Sequence, residues 1–554
     1  MKIAVFVMEV GIDDQIPTYS GGLGVLAGDL AFSFSDFGLP ATFITLLSRN
    51  GYASQRLDRE RGQLDAPHPW DYARILSPTD ARANVEVGGT VQRVGVWEYK
   101  IRGKAETSVL FLDTDFPEND KKVRDATERL YEGEIWQRML QDIILGIGGY
   151  RILKALGRNV DVYHLNESHA AFATIELLRD AGSPEAARRR CAFTTHTPIA
   201  AGNDVFPLAM VEEALSKYPW VDWTKESVDG SINLSRLAAK YSGVTNAVSL
   251  KHKYVAGSVL GFDNISYVTN GVYHKRWVHD ELKRVYDRHL PGWQDSPSLL
   301  VRALGIPSVE LAEARKAVKR TLVTMVNERT GLHFDEGALT ISVAKRITSY
   351  KRNNMILSDP ERLERIAGEK GGIQVIIAGK AHPRDDVAKS MLADAIHEAD
   401  QLNRGSQKVK IAILENYGIE MAKLLVAGSD VWLNNPRRPL EACGTSGIKA
   451  AINGVLNFSV YDGWWLEGGI EGVNGWGIGR RLEWNDLSAS IDGEDAGDMF
   501  RKLTDEIVPT YYNDRARWWN MSRMSIATVG PLFNSYRMVG DYVTKVYSLL
   551  RRDS

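Results

Sequence analysis

Short apolar runs alternate with helical stretches along this chain, and the alternation comes in two series. The first series holds KIAVFVM (2–8), ATFITLL (41–47), SVLFLD (108–113), DVYHL (161–165), CAFTTH (191–196) and ISYVT (265–269). The second holds ALTISVA (338–344), IQVIIAG (373–379), KVKIAIL (408–414), DVWLN (430–434) and VLNFSVY (455–461). Strands that are separated by helices return to their sheet by crossovers and so pair in parallel. The chain is therefore expected to be an α/β protein, with two open parallel sheets in two facing domains and a cleft between them.

Helical stretches fit between the runs. One extends over 128–157, where Gly146, Gly148 and Gly149 weaken the helix and permit close packing. Another covers 388–402. The charged, irregular stretch 272–305 follows the first series and divides the chain into domains 1–271 and 272–554. Segment 536–552 reads as an amphipathic helix able to pack on either domain, back onto the first included. Ligands of open α/β sheets bind beyond the carboxyl ends of the strands, and clefts between domains are preferred sites.

Composition removes several function classes. A length of 554 residues favours more than one domain. The net charge of -2 gives no general attraction to nucleic acid or to an anionic membrane. Cys191 and Cys443 are the only cysteines, so neither a disulfide framework nor a zinc site is expected, and a reducing compartment fits. No apolar run approaches the roughly 20 residues that span a bilayer. The first apolar run meets Glu9, Asp13 and Asp14 too early for a signal peptide. The cytoplasm is the expected compartment.

Four motifs sit after strands. In NNPRRPLEACGTSGIKAAING (434–454), Gly444, Thr445, Ser446 and Gly447 open a helix. Small residues there expose backbone N–H groups at the positive end of the helix dipole, which suits a phosphate. Lys449 follows within the first turns, one cofactor length from such a phosphate. The same pattern also describes an ordinary loop followed by a solvated lysine. In VAKRITSYKRN (343–353), Lys345, Arg346, Lys351 and Arg352 follow a strand directly. Two or three fixed cations there suit a phosphate, and cations at a helix start oppose the dipole, which favours a role beyond solvation. TYSGGLGVLAGD (18–29) stands away from its strand and has Ala27 at the third glycine position, so an anion loop fits it better than a dinucleotide fingerprint. HLNESHAA (164–171) and TTHTPIAAGNDVF (194–206) carry His164, Glu167, His169, His196 and Asp204. Single histidines are more often hydrogen-bonded core groups than ligands, so no metal is expected. Strand-end His196 is instead able to hydrogen-bond a sugar hydroxyl or a glycosidic region.

SGGLGVLAGD, HLNESHAAFATIELL, FTTHTPIAAGNDVF, VTNGVYHKRW, AKRITSYKRN, IIAGKAHP, LENYGIEMAKLL and WLNNPRRPLEACGTSGIKAAINGVLN occur in that order from Met1 to about Gly479. Together they resemble the α-glucan (glycogen, starch and maltodextrin) phosphorylase family in its short form. The resemblance implies two Rossmann-like domains around a deep cleft, the GT-B-type glycosyltransferase architecture. It implies pyridoxal 5'-phosphate as cofactor. The reaction would be reversible, retaining phosphorolysis: inorganic phosphate cleaves the terminal unit of an α-1,4-glucan or maltooligosaccharide and releases α-D-glucose 1-phosphate. In that family the cofactor phosphate exchanges a proton with substrate phosphate, in place of the usual electron-sink role.

Carried over by motif, Lys449 would form the Schiff base. Thr445 and Ser446 would sit at the cofactor phosphate, with Lys345 and the Gly21–Gly22 loop nearby, and Trp277 and Tyr417 would line the cofactor pocket. Arg346 and Lys351 would hold the substrate phosphate. Glu441, Cys443 and Gly444 would contact the reacting glucose, with Asn270 and His196 on its other side and Leu23 and His169 also in the substrate site. A homo-oligomer without nucleic-acid or membrane partners is implied. Cys443 departs from the family, which usually has serine there, and a thiol is the weaker hydrogen-bond donor. The animal enzymes' N-terminal regulatory extension has no counterpart, so control of that type is not expected. Two other readings use the same residues. A nucleotide-sugar glycosyltransferase of this architecture would not need Lys449, and for a non-catalytic glucan-binding descendant Cys443 is the single hint.

Overall fold

Strand order is what turns the second series of runs into a site. The computed structural model describes residues 1–131, 133–198 and 203–551. The chain forms two compact units. One comprises Met1–Ala53, Pro67–Val268 and the chain from Met538 onward; the other comprises Ser54–Ala66 and Thr269–Arg537.

In the second unit, six parallel strands run in the order Val409–Leu414, Ile373–Ala378, Leu339–Ala344, Val431–Asn434, Leu456–Val460, Gly475–Ile478. Numbered along the chain, this order is 3-2-1-4-5-6. The chain winds outward from Leu339–Ala344 in one direction and from Val431–Asn434 in the other. A crevice therefore opens beyond the carboxyl ends of these two neighbours, the topological switch point. Every residue of Leu339–Ala344 and of Ile373–Ala378 is buried, which is why their sequences are apolar throughout. Gly475–Ile478 is missing from the sequence runs because two of its four residues are glycine. Those glycines are required: a Cβ on Gly477 would lie 2.0 Å from the Tyr461 ring, and one on Gly475 would lie 2.3 Å from the Asn457 carbonyl oxygen.

The first unit has a nine-stranded sheet in the order Ser266–Tyr267, Val244–Ala247, Cys191–Thr194, Val162–Asn166, Ile3–Val7, Ala41–Leu46, Thr107–Asp113, Thr90–Ile101, Ser77–Val87. The first seven are parallel and the last two antiparallel. Winding reverses between Ile3–Val7 and Val162–Asn166. Alternate residues of the first strand enter two cores: Ala4 and Phe6 one, Ile3, Val5 and Val7 the other. The antiparallel strands escape the run pattern because much of Ser77–Val87 is exposed. Met538, Val539, Val546 and Leu550 join the core of this unit, and the Tyr547 hydroxyl bonds His164 Nδ1 at 2.8 Å. Among the described residues, no helix is long and apolar enough to cross a membrane.

Two expectations need correction. Stretch 272–305 is largely helical, with helices at His274–Trp277, Asp280–His289 and Pro297–Gly305. Buried Trp293 anchors it by donating to Asp287 Oδ1 at 2.8 Å, and the His274 ring meets the Gln294 carbonyl at 2.7 Å. The helix expected over 128–157 starts at Ile135, and Ile144–Gly148 within it is a π-helical turn. Close packing is the reason for Gly146 and Gly149 but not for Gly148. A Cβ on Gly146 would stand 2.5 Å from the Ala173 nitrogen, whereas one on Gly148 would meet nothing nearer than 3.4 Å. Gly146→Ala should destabilise the protein by about 1–3 kcal/mol, and Gly148→Ala should be neutral or stabilising by up to about 1 kcal/mol. Urea unfolding of the two variants checks this contrast.

Candidate active site

The switch point of the second unit is occupied by a lysine. Lys345 follows Leu339–Ala344, and its Nζ donates to Asn434 Oδ1 at 3.1 Å and Asn435 Oδ1 at 2.9 Å, at the end of the neighbouring strand. Both acceptors are neutral amides. Burial, and then the charge of Lys351, push the Lys345 pKa well below the usual lysine value. Lys351 is paired: its Nζ donates to Glu441 Oε1 at 3.0 Å and Oε2 at 2.7 Å. Burial opposes its charge, but the Glu441 carboxylate outweighs burial and raises its pKa. Arg346 is exposed beside them.

Arg352, grouped with these cations by sequence, has a different task. It stands in a left-handed conformation with φ 47°. Its guanidinium donates to the Asn435 and Pro436 carbonyls at 2.8 and 2.7 Å and to Asp492 and Asp495 at 3.0 and 2.8 Å. It is consumed in holding the loop that carries Asn434 and Asn435.

Helix Thr445–Ala451 begins after Gly444, whose φ of 82° suits glycine. Lys449, 6% exposed, places its Nζ 4.0 Å from the centre of the Trp277 ring. Asn453 fixes that pair. Its Nδ2 donates to the Lys449 and Trp277 carbonyls, both at 2.8 Å, and its Oδ1 accepts from His279 N at 2.9 Å. Ser446 Oγ accepts from Trp432 Nε1 at 3.1 Å, and burial raises the Tyr417 phenol above its usual pKa. Burial, with the Glu467 carboxylate, likewise raises the Cys443 thiol, against the opposing pull of the nearby Asn270 backbone N–H. Asn270 Oδ1 is buried with no hydrogen-bond partner among the described residues. The second unit thus brings Lys345, Lys351 and Glu441 together, then Lys449 with Trp277, then Cys443 with Asn270. Thr445 is half-buried at the helix start.

In the first unit two buried carboxylates end the strands at the switch point. Glu9 accepts from Tyr131 Oη at 3.0 Å, from Ser20 N at 2.5 Å and from Gly21 N at 3.3 Å, which pins the Gly21, Gly22, Leu23 turn at the start of helix Gly22–Phe37. Glu167, at φ 85°, accepts from Ser168 N at 3.0 Å, His196 N at 2.7 Å and Thr197 Oγ1 at 2.8 Å. The His196 ring meets Asn166 Oδ1 at 2.8 Å, and burial lowers its pKa to about 3, so it is neutral at ordinary pH. His169 lies 3.4 Å from Asp204, which Arg138 pairs at 2.8 Å; burial lowers the His169 pKa to about 4. His164 is a core group between Tyr547 and Thr194. Residues 199–202 of the His196 motif lie outside the described residues.

Sequence reasoning assigned no role to Glu9, Glu167, Asn434, Asn435 or Asn453. The signal available was a polar residue closing an apolar run, where burial demands partners. For Glu167, burial raises the pKa to about 7 against the pull of its three donors. The folded protein therefore keeps a proton that the unfolded chain releases from about pH 4.5. Stability should fall as pH rises through about 7, by about 3 kcal/mol relative to Glu167→Gln. Urea unfolding of both proteins between about pH 4 and pH 9 measures that difference; parallel curves would remove the assignment.

Residues 221–469 match the family model described as Carbohydrate phosphorylase, and residues 14–255 match that of the Starch synthase catalytic domain. The chain is 39% identical to Maltodextrin phosphorylase of Thermococcus litoralis, over 99% of this chain and 71% of that protein. It is 35% identical to Glycogen phosphorylase of Mycobacterium tuberculosis, over 99% of this chain and 70% of that protein. With Glycogen phosphorylase of Aquifex aeolicus the identity is 32%, over 98% of this chain and 86% of that protein. On these matches, which run through both units and through the loops of Lys345 and Lys449, the chain belongs to the α-glucan phosphorylase family.

Proposed function

We propose that the protein is a pyridoxal-phosphate-dependent α-1,4-glucan phosphorylase, EC 2.4.1.1, which exchanges the terminal glucosyl unit of a glucan or maltooligosaccharide with inorganic phosphate to give α-D-glucose 1-phosphate. The observation that carries this reading is Lys449, nine-tenths buried with its ammonium against the Trp277 indole, on a helix opened by Gly444, Thr445 and Ser446. A flat aromatic wall, a buried amine and a helix start fit a pyridine ring that carries an aldehyde and a phosphate. Lys449, Thr445, Ser446, Trp277, Tyr417, Lys345, Gly21 and Gly22 would hold the cofactor. When bound, the cofactor supplies a phosphate group that gives and takes a proton at the substrate phosphate.

The residues of the chain do the rest. Among the described residues Lys345 has no anionic partner bonded to it, so an arriving phosphate restores the charged form that burial disfavours. Arg346 adds an exposed fork at the same turn. Lys351 offsets phosphate charge while Glu441 keeps it protonated and turns toward the glucose. Asn270, Cys443 and Gly444 bind sugar hydroxyls, with the buried Asn270 Oδ1 as acceptor. His196 contributes as a neutral hydrogen-bonding ring, and His169 and Leu23 complete the substrate site. In this reading domains 1–271 and 272–554 are the glucan-binding and cofactor-bearing halves of a GT-B-type enzyme, with the site in the cleft such enzymes have. A cytoplasmic homo-oligomer is part of the proposal.

The likeness of the first part of the chain to a starch synthase favours one second reading, transfer from a nucleotide sugar. Lys449 separates the two. Purified protein should carry the cofactor, and borohydride should attach it covalently to Lys449. Lys449→Ala should lose it, and phosphate-dependent release of glucose 1-phosphate from maltooligosaccharides should fall by about 10²–10³-fold or more. Full-rate phosphorolysis by this variant, or glucan synthesis from a nucleotide sugar with none from glucose 1-phosphate, would sink the proposal.

A further inference from the structure

The antiparallel hairpin Ser54–Asp58 with Gly62–Ala66 belongs to the second unit, although the chain on either side of it belongs to the first. Its two buried polar side chains are glutamines, Gln55 at 2% exposure and Gln63 at 3%. Gln55 Nε2 donates to the Gly379 carbonyl at 2.8 Å and to Gln63 Oε1 at 2.7 Å. Gln55 Oε1 accepts from Asn416 N at 3.0 Å, and Gln55 N donates to Asn416 Oδ1 at 2.7 Å. Gln63 Nε2 donates to the Ala381 carbonyl at 2.9 Å, and its Oε1 accepts from Ala381 N at 2.8 Å.

Both loops reached by Gln55 adjoin the site. Gly379 lies so close under Lys345 that a Cβ would stand 2.0 Å from the Lys345 carbonyl oxygen, and Lys345 N donates to the Ala378 carbonyl at 3.0 Å. Asn416, at φ 56°, immediately precedes Tyr417. A buried amide that satisfies its donors and acceptors in two loops fixes one relative placement of them, since any other leaves it unpaired. We propose that Gln55 is a positioning residue for the phosphate and cofactor end of the site: it locks the backbone under Lys345 to the turn that presents Tyr417. The inference rests on the phosphorylase reading only for the roles given to Lys345 and Tyr417.

Two variants test it. Gln55→Ala removes the side-chain bridge. Asn416→Gly keeps the left-handed turn and removes the acceptor of the Gln55 backbone N–H, the other half of the reciprocal Gln55–Asn416 pair, so it weakens the same joint should the first variant not fold. Hydrogen exchange should quicken about tenfold in peptides 345–351 and 414–418 and stay unchanged in strand Leu456–Val460. With maltooligosaccharide and inorganic phosphate, kcat/KM for phosphate should fall by about 10–100-fold while KM for glucan stays within about twofold. The double variant should lose less than the sum of the two single ones, because Gln55 and Asn416 are two sides of one joint. Unchanged exchange at 345–351, equal losses toward both substrates, or additive losses in the double variant would overturn it. A wild-type protein without phosphorolysis would overturn the functional reading instead, and the exchange data would still decide the linkage.

Discussion

A lysine ammonium surrounded by protein is costly unless something negative answers it. At the switch point of the second sheet that cost is met only in part. Lys345 has two amide oxygens and the repulsion of Lys351, while the nearby Glu441 carboxylate is bonded to Lys351. The contacts around it hold this arrangement in place. Arg352 ties the Asn435–Pro436 backbone to Asp492 and Asp495, and Gly379 allows the neighbouring strand to lie flat against Lys345. In the proposed reading an anion would meet this lysine without displacing a bonded carboxylate, which would be electrostatic preorganisation.

The first unit uses the opposite device at its own switch point. Glu9 and Glu167 each collect several donors, and the nearby histidines are held neutral by burial. Neutral rings and fixed turns suit hydroxyl groups better than phosphates. The division of chemistry between the units follows from this contrast: charge in one, directional hydrogen bonding in the other.

Much of this was legible in the amino-acid order. Strands buried on both faces announce themselves as apolar runs, so the central strands of both sheets could be read, as could the Gly444–Lys449 and Lys345–Lys351 segments. What escaped has a common cause. The antiparallel strands Ser77–Val87 and Thr90–Ile101 carry many exposed residues, and Gly475–Ile478 is half glycine, so none of the three carries the buried-strand pattern. Arg352 was indistinguishable from its neighbours until Asp492 and Asp495, far along the chain, were seen beside it. Gln55, Asn416 and Asn453 act through partners distant in sequence, and an amide carries no charge pattern to betray such a link.

The exchanged segments bear on how the molecule is made. Ser54–Ala66 finds its partners only when residues beyond 379 have emerged, and the first unit lacks Met538, Val539 and Val546 until they too have been made. Neither unit can complete its core as an independent translation product. Folding from one end to the other, the usual course for a chain of several domains, is closed to this protein, and its two halves must mature together.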